Sequence, residues 1–295
     1  MDDELFRHAE ERLNAMRLSP SAHCKVCGGE AYPFDIVDFN KSCEDSPYPI
    51  GLSIVPVIYR ICRQCQFIFT DFFDDFTSEQ WSRYVYNKDY VKFDPEYLSV
   101  RPRINAHMLR TFLARRKQSV IGLDYGGGNG TTAAMLRAKG WNFDCYDPFG
   151  QTNMSPGLIG RYNFCSAIEV FEHTPDPVKT LRDVIEKTTT GPMMVMISTV
   201  ISDGAVSNET RLSWWYAAPR NGHVSLYSRK SLQTLGAQFG LRCTLIGSGP
   251  FFLTRGFTEN QAHMFVLRGK LLRRLQFLNR KFYAELTRRP NDGAI

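Results

Sequence analysis

Three groups of residues in this chain have types and spacings that could do chemistry. Glu172 and His173 are adjacent after an apolar run, and His223 lies further on beside Trp214, Trp215, Tyr216 and Arg220. An imidazole beside a carboxylate can take a proton from an acceptor, with the carboxylate orienting the ring or binding substrate. The same pair could instead only hold a loop or a cofactor. The second group is LDYGGGNG, residues 123–130, with four glycines in eight positions. Such a turn lets backbone approach a ligand closely. The third is Cys24-x-x-Cys27 with Cys62-x-x-Cys65. Two chelating thiolate pairs are good tetrahedral ligands for zinc, and four thiolates would close the site. His23 and Cys43 are spare donors.

The glycine turn has three possible ligands. A phosphate-binding loop needs Lys-Ser/Thr after its last glycine, and Gly130 is followed by Thr131-Thr132. A dinucleotide turn needs G-x-G-x-x-G, and Thr131 stands where the third glycine belongs. In the third reading Asp124 closes a strand before Gly126, Gly128 and Gly130, and Asp147 ends the next strand. A carboxylate at Asp124 would repel a pyrophosphate and suits a cationic ligand, while Asp147 can accept ribose hydroxyls. S-adenosylmethionine carries an ammonium, a sulfonium and a ribose.

These residues need a scaffold, and the hydropathy pattern predicts one. From 119 onward strands alternate with helices: SVIGLDYGG, a helix at TTAAMLRAKG, NFDCYD and YNFCSAIEVF. Asp176 and Pro177 then open a helix with Val178, Leu181 and Ile185 inward. The strand PMMVMISTV follows, then a helix capped by Ser228 with Leu232, Leu235 and Phe239 inward, then LRCTLIG and AHMFVL as final strands. This alternation predicts a doubly wound, mostly parallel α/β sheet. Ahead of it, residues 3–17 suit a helix with Leu5, Ala9, Leu13 and Met16 on one face. Residues 21–70 hold five of the eight cysteines and read as a small, loop-rich, apolar-poor module, with LSIVPVIYR a β-like run. Eleven of the thirty-one residues from 67 to 97 are aromatic, part of that stretch (SEQWSRYVYNKDY) looks helical, and 103–115 suits a helix. The expected division is 1–20 an N-terminal helix, 21–75 the zinc-binding module, 76–115 an aromatic connector or lid, 116–268 the core, and 269–295 a basic amphipathic helix.

Bulk composition narrows the classes. The chain has 295 residues, 43% hydrophobic and 22% charged, with a net charge of +6, which is ordinary for a globular protein with a sizeable core. No run approaches the ~18 apolar residues of a membrane span. MDDELFRHAEERL lacks the features of a signal peptide. The expected compartment is the cytoplasm, where cysteines are thiols or metal ligands; Cys145, Cys165 and Cys243 fall in strands and suit burial. The tail 268–289 carries eight Lys/Arg and one Glu, with Leu271, Leu275, Leu278, Phe282 and Leu286 on one stripe. That stripe suits packing on the body or a homodimer contact ahead of an anionic partner.

Several motifs in order resemble the class I S-adenosylmethionine-dependent methyltransferases, over about residues 103–268. LDYGGGNG resembles their first motif, YDPF the second, AIEVFEHTPDP the segment ending the fourth strand, and GHVSLYSRKSLQTLGAQFG a later one. The resemblance implies a Rossmann-like sheet and cofactor contacts at Asp124, Gly126, Gly128, Gly130, Asp147, Pro148 and Glu169. The short stretch after Asp147, and Asn163 where many relatives have Asp, leave the third strand and the adenine site open. A cysteine-rich N-terminal module before this core is similar to sugar C-methyltransferases acting on nucleotide-linked deoxysugars, whose further C-terminal domain is not expected here.

That likeness implies a small-molecule acceptor, a nucleotide-linked sugar or glycan precursor. His173, Glu172 and His223 are the candidate catalytic groups. Trp214, Trp215, Tyr216, Arg220 and Tyr86 are candidate acceptor contacts, since aromatic faces suit a sugar or base and Arg suits a phosphate. RNA is the alternative acceptor, with the cysteine module and tail as its contacts. It ranks second, because the basic residues are not concentrated in the module and DFFDD at 71–75 is acidic. A non-catalytic cofactor-binding scaffold is the third reading.

Overall fold

A computed structural model describes residues 3–43, 51–96, 100–114, 116–149, 159–245, 247, 249–269 and 271. Among the described residues eleven strands form two sheets. One is antiparallel, in the order β1 (Ala22–His23), β2 (Glu30–Asp38), β3 (Pro56–Cys62), β4 (Ile68–Phe69) and β9 (Ser225–Leu226). The other runs β10 (Arg242–Thr244), β11 (Phe251–Arg255), β8 (Met193–Ser198), β7 (Phe164–Ile168), β5 (Ile121–Tyr125) and β6 (Asn142–Tyr146).

The second sheet is the Rossmann-like, mixed α/β layer. β6, β5, β7 and β8 are parallel, and β11 and β10 join antiparallel. β5 connects through the helix Thr131–Arg137 to β6 on one side, and β7 then pairs on the other side of β5. That reversal leaves a crevice at the C-terminal ends of the strands, where open α/β sheets bind ligands. The inner strands are nearly continuous apolar runs because both faces are covered; Met193 to Ile197 are all buried. The expected caps form: Asp176 accepts from the Lys179 amide with Pro177 at the first turn, and Ser228 accepts from the Ser231 amide.

Two expectations are corrected. AHMFVL is not a strand but part of a helix over 259–269, and the last core strand is FFLTR. The region 21–70 is neither loop-rich nor apolar-poor: β2 and β3 pair along their length, with a register shift between Pro33 and Asp35, and Val37, Val57 and Tyr59 are buried.

The two sheets share one core. β4 pairs with β9, setting Ile68 opposite Leu226 and Phe69 opposite Ser225. Cys62, Cys65, Phe67 and Phe69 pack in the same cluster as Leu123, Val195, Tyr227 and Leu232. Phe72 and Phe73 are buried as well, so this part of the aromatic stretch is packing. Among the described residues no helix is long and apolar enough to cross a membrane. The basic stripe from Leu275 onward lies outside the described residues.

Candidate active site

The glycine turn sits at the end of β5. Gly126, Gly128 and Gly130 have φ of +70°, +56° and +75°, backbone that side chains rarely adopt. A Cβ at Gly126 would fall 2.5 Å from Val170, and one at Gly127 2.6 Å from the Asp124 carboxylate and 2.7 Å from the Cys145 sulfur. The turn therefore presses between the segment after β7 and the end of β6. Asp124 lies beneath it, 4% exposed, accepting from the Ser166 hydroxyl at 2.8 Å. Burial raises its pKa to about 7 against that hydrogen bond, with Asp147 adding to the rise. Asp147 accepts from the Gly128 amide at 2.8 Å through one oxygen and from the Phe149 amide at 2.9 Å through the other. Pro148 follows it, exposed, in the same turn. Residues 150–158, which follow the Asp147 turn, lie outside the described residues. Asn163 braces the start of β5, donating to the Ser119 carbonyl and accepting from the Ile121 amide.

The segment after β7 carries the acids and the first histidine. Glu169 has φ +54°, a strained backbone for a residue with a side chain. Its carboxyl pKa is raised, first by burial, against the pull of Arg101. Glu172 is fully buried. Its Oε1 accepts from the Tyr216 hydroxyl, while Oε2 has no hydrogen-bond partner. Burial and the neighbouring Glu169 hold its pKa well above the usual carboxylate range. Thr199, 3.2 Å from the Tyr216 oxygen, completes the chain by donating to it.

The two histidines meet here. His173 Nδ1 lies 3.2 Å from the Gly222 carbonyl, and His223 Nδ1 lies 2.8 Å from the Tyr216 carbonyl. A carbonyl can only accept, so each Nδ1 carries the proton and each Nε2 keeps its lone pair. The rings are 4.9 Å apart. Burial lowers the pKa of His173 to about 4 and drives that of His223 down as well, so both are neutral at physiological pH. One ligand atom from each of Glu172, His173 and His223 lies within 4.8 Å of the others.

The His223 segment is held by the N-terminal part of the chain. Tyr59 donates to the His223 carbonyl at 2.6 Å, the Thr70 amide to the Val224 carbonyl, and Cys43 Sγ is 3.5 Å from His223 Nδ1. These partners carried no local sequence signal; Ser166 did, as the polar residue within the strand FCSAI. Of the aromatics expected to face an acceptor, Trp215 is 53% and Tyr86 43% exposed, and Tyr86 lies against His173 with rings 6.3 Å apart. Trp214 and Tyr216 are buried, Tyr216 with its ring against His223. Arg220 is buried too. It donates to the Val85 carbonyl and Asn87 and borders a cleft of about 450 Å³ with Asn40, Ser53 and Tyr84.

The four cysteines converge. Cys24 and Cys65 sulfurs are 3.5 Å apart, Cys27 and Cys62 3.4 Å, and all four lie within 4.8 Å. Each pair occupies a turn closed by a left-handed residue, Gly28 or Gln66. The Val26 and Cys65 amides point at Cys24 and Cys62 sulfurs. The thiol of Cys65 lowers the Cys24 pKa to about 5. Cys43 lies at His223 instead, and His23 turns to the Gly28 carbonyl. Cys165 is buried, whereas Cys145 and Cys243 are half-buried.

A methyltransferase-domain family model matches residues 97–246, just over half of the chain. No curated protein sequence matches it. Solved structures do. A possible histamine N-methyltransferase from Thermotoga maritima is 13% identical with a TM-score of 0.36, covering 56% of this chain and 96% of its own. Magnesium protoporphyrin IX methyltransferase from Synechocystis PCC 6803 is 13% identical with a TM-score of 0.39, over 62% and 95%. The plantazolicin methyltransferase is 14% identical with a TM-score of 0.42, over 66% and 86%. At these identities the likeness concerns the fold.

Proposed function

This chain belongs to the methyltransferase domain family, and we propose that it moves the methyl group of S-adenosylmethionine to a small acceptor, a nucleotide-linked sugar or glycan precursor. The observation that carries this reading is the convergence of Glu172, His173 and His223 within 4.8 Å, on a segment whose Val170 packs against Gly126 of the glycine turn.

The residues of the turn suit the cofactor. A Cβ at Gly126 would collide with Val170 and one at Gly127 with Asp124 and Cys145, so only glycine seats the turn on the strand ends. Asp147 and Glu169 supply carboxylates for ribose hydroxyls and the ammonium. Asp124, bonded to Ser166 beneath the turn, supports the turn from below. S-adenosylmethionine supplies an electrophilic methyl group on sulfonium. The enzyme's task is then to hold donor and acceptor in line.

Glu172, His173 and His223 form the acceptor side, with two imidazole lone pairs available to an acceptor that must lose a proton. Trp215 and Tyr86 offer exposed aromatic faces at its border. The N-terminal sheet supports a small acceptor over RNA. It packs into the common core and holds the His223 segment, rather than standing off as a nucleic-acid arm.

Four sulfurs 3.4–3.5 Å apart within pairs suit one zinc ion, since Zn–S bonds of ~2.3 Å place tetrahedral sulfurs ~3.8 Å apart. With no position open, the zinc would be structural.

The test is transfer of label from methyl-labelled S-adenosylmethionine into a cell extract divided into RNA and small-molecule fractions. Label in the anionic small-molecule pool is expected. Ribonuclease-sensitive label would overturn the acceptor class.

A further inference from the structure

The Glu172–His173–His223 cluster has a feature that proton transfer does not use. Glu172 is fully buried, yet its Oε2 has no hydrogen-bond partner, while Oε1 is satisfied by Tyr216. A buried carboxyl oxygen without a partner is costly, and a bound metal ion is one way such a group is satisfied. Both neighbouring imidazoles have Nδ1 committed to backbone carbonyls, at Gly222 and Tyr216. This is the outer hydrogen bond that fixes tautomer and ring orientation in metal-ligating histidines.

We propose that Glu172, His173 and His223 bind a divalent first-row transition metal, separate from the cysteine site. The inference rests on reading this cluster as the acceptor side of the active site. One carboxylate oxygen and two imidazole nitrogens suit manganese, iron, cobalt or zinc, whereas magnesium favours oxygen. One nitrogen of each histidine and one oxygen of Glu172 lie within 4.8 Å of one another. An ion with bonds of ~2.1 Å spans ~4.2 Å between opposite ligands, so small side-chain movements close the site. Arg101, whose charge reaches both imidazoles, is paired with Asp94 at 2.9 Å, and Glu169 adds a second carboxyl. Three protein donors leave coordination positions open, as catalytic rather than structural sites do. An acceptor oxygen would take one of them, held in line with the methyl donor.

The test is titration of full-length protein carrying one zinc ion per chain with Mn(II), followed by electron paramagnetic resonance, and with Co(II), followed by its visible spectrum. The wild type should bind one such ion beyond the cysteine-bound zinc. Glu172→Gln, which keeps the side-chain shape, and His223→Gln should each weaken Mn(II) binding by about ten-fold or more. Wild-type protein that takes up neither ion, or variants that bind as the wild type does, would overturn the proposal. The wild-type titration stands even if a variant fails to fold. S-adenosylmethionine affinity, measured on the same wild-type preparation, reads the proposed function separately. Cofactor binding without Mn(II) or Co(II) uptake sinks the metal site alone, and metal uptake without cofactor binding sinks the methyl-donor reading alone.

Discussion

The hydroxyl of Ser228 donates to the carbonyl of Cys65 at 2.7 Å while accepting from the Ser231 amide at 3.0 Å. One side chain thus caps the helix Arg229–Ala237 and ties a cysteine turn to the methyltransferase sheet. Ser228→Ala removes both bonds. The expected loss is about 1–2 kcal/mol of stability, read as a lower urea midpoint with an unchanged slope. An unchanged midpoint would show that the tie carries no energy.

Cys62→Ser removes one of four clustered sulfurs. Zinc content should fall from about one ion per chain to near none, measured on purified protein by atomic absorption. Because these cysteines share a core with Tyr227 and Leu232, the variant should also unfold at lower temperature in one transition. Wild-type protein that is fully folded and zinc-free would refute the metal reading.

Asp124 gives stability a pH dependence. Its folded pKa of about 7 exceeds the ordinary carboxylate value, so between about 4 and about 7 the native state holds a proton that the unfolded chain releases. Its contribution is full below that window and is lost as pH rises through it, by an amount on the order of a few kcal/mol. Asp124→Asn lacks this component. Wild-type stability minus variant stability, from denaturation at a series of pH values, should decline across the window and level off above it. A flat difference would contradict the burial argument.

Tyr216→Phe deletes the donor to Glu172 Oε1. A cost of about 1–3 kcal/mol is expected for a buried group left unsatisfied. It should be accompanied by a fall in kcat larger than any change in KM for the methyl donor, because Tyr216 supports the acceptor side. Equal stability of the two proteins would show that Glu172 is satisfied in another way.

The core was legible where local signals agree. The helix at 177–187 had an Asp cap, a first-turn proline and a spaced apolar face, and the glycine turn had flanking acids. AHMFVL reads as a strand yet folds as helix, because a short apolar run does not distinguish strand from buried helix by periodicity. β2 was obscured by Pro33, which sits at the bulge where prolines are tolerated. The pairing of β4 with β9 joins residues far apart in sequence, and nothing local in IF or SL announces it. Glu172, His173 and His223 could be named from their types. The inward turn of Tyr216 and Trp214, and the Tyr59 bond behind His223, follow from packing that no single stretch encodes.

Calorimetric titration with S-adenosylmethionine of the wild type beside Asp147→Ala tests the account most directly. Asp147 is the acid at the end of β6, bonded to the Gly128 amide of the turn. Saturable one-to-one binding by the wild type, lost or weakened at least about ten-fold in the variant by removal of charge-assisted hydrogen bonds, is the predicted result. No binding by the folded wild type, or equal affinity in the two proteins, would contradict it.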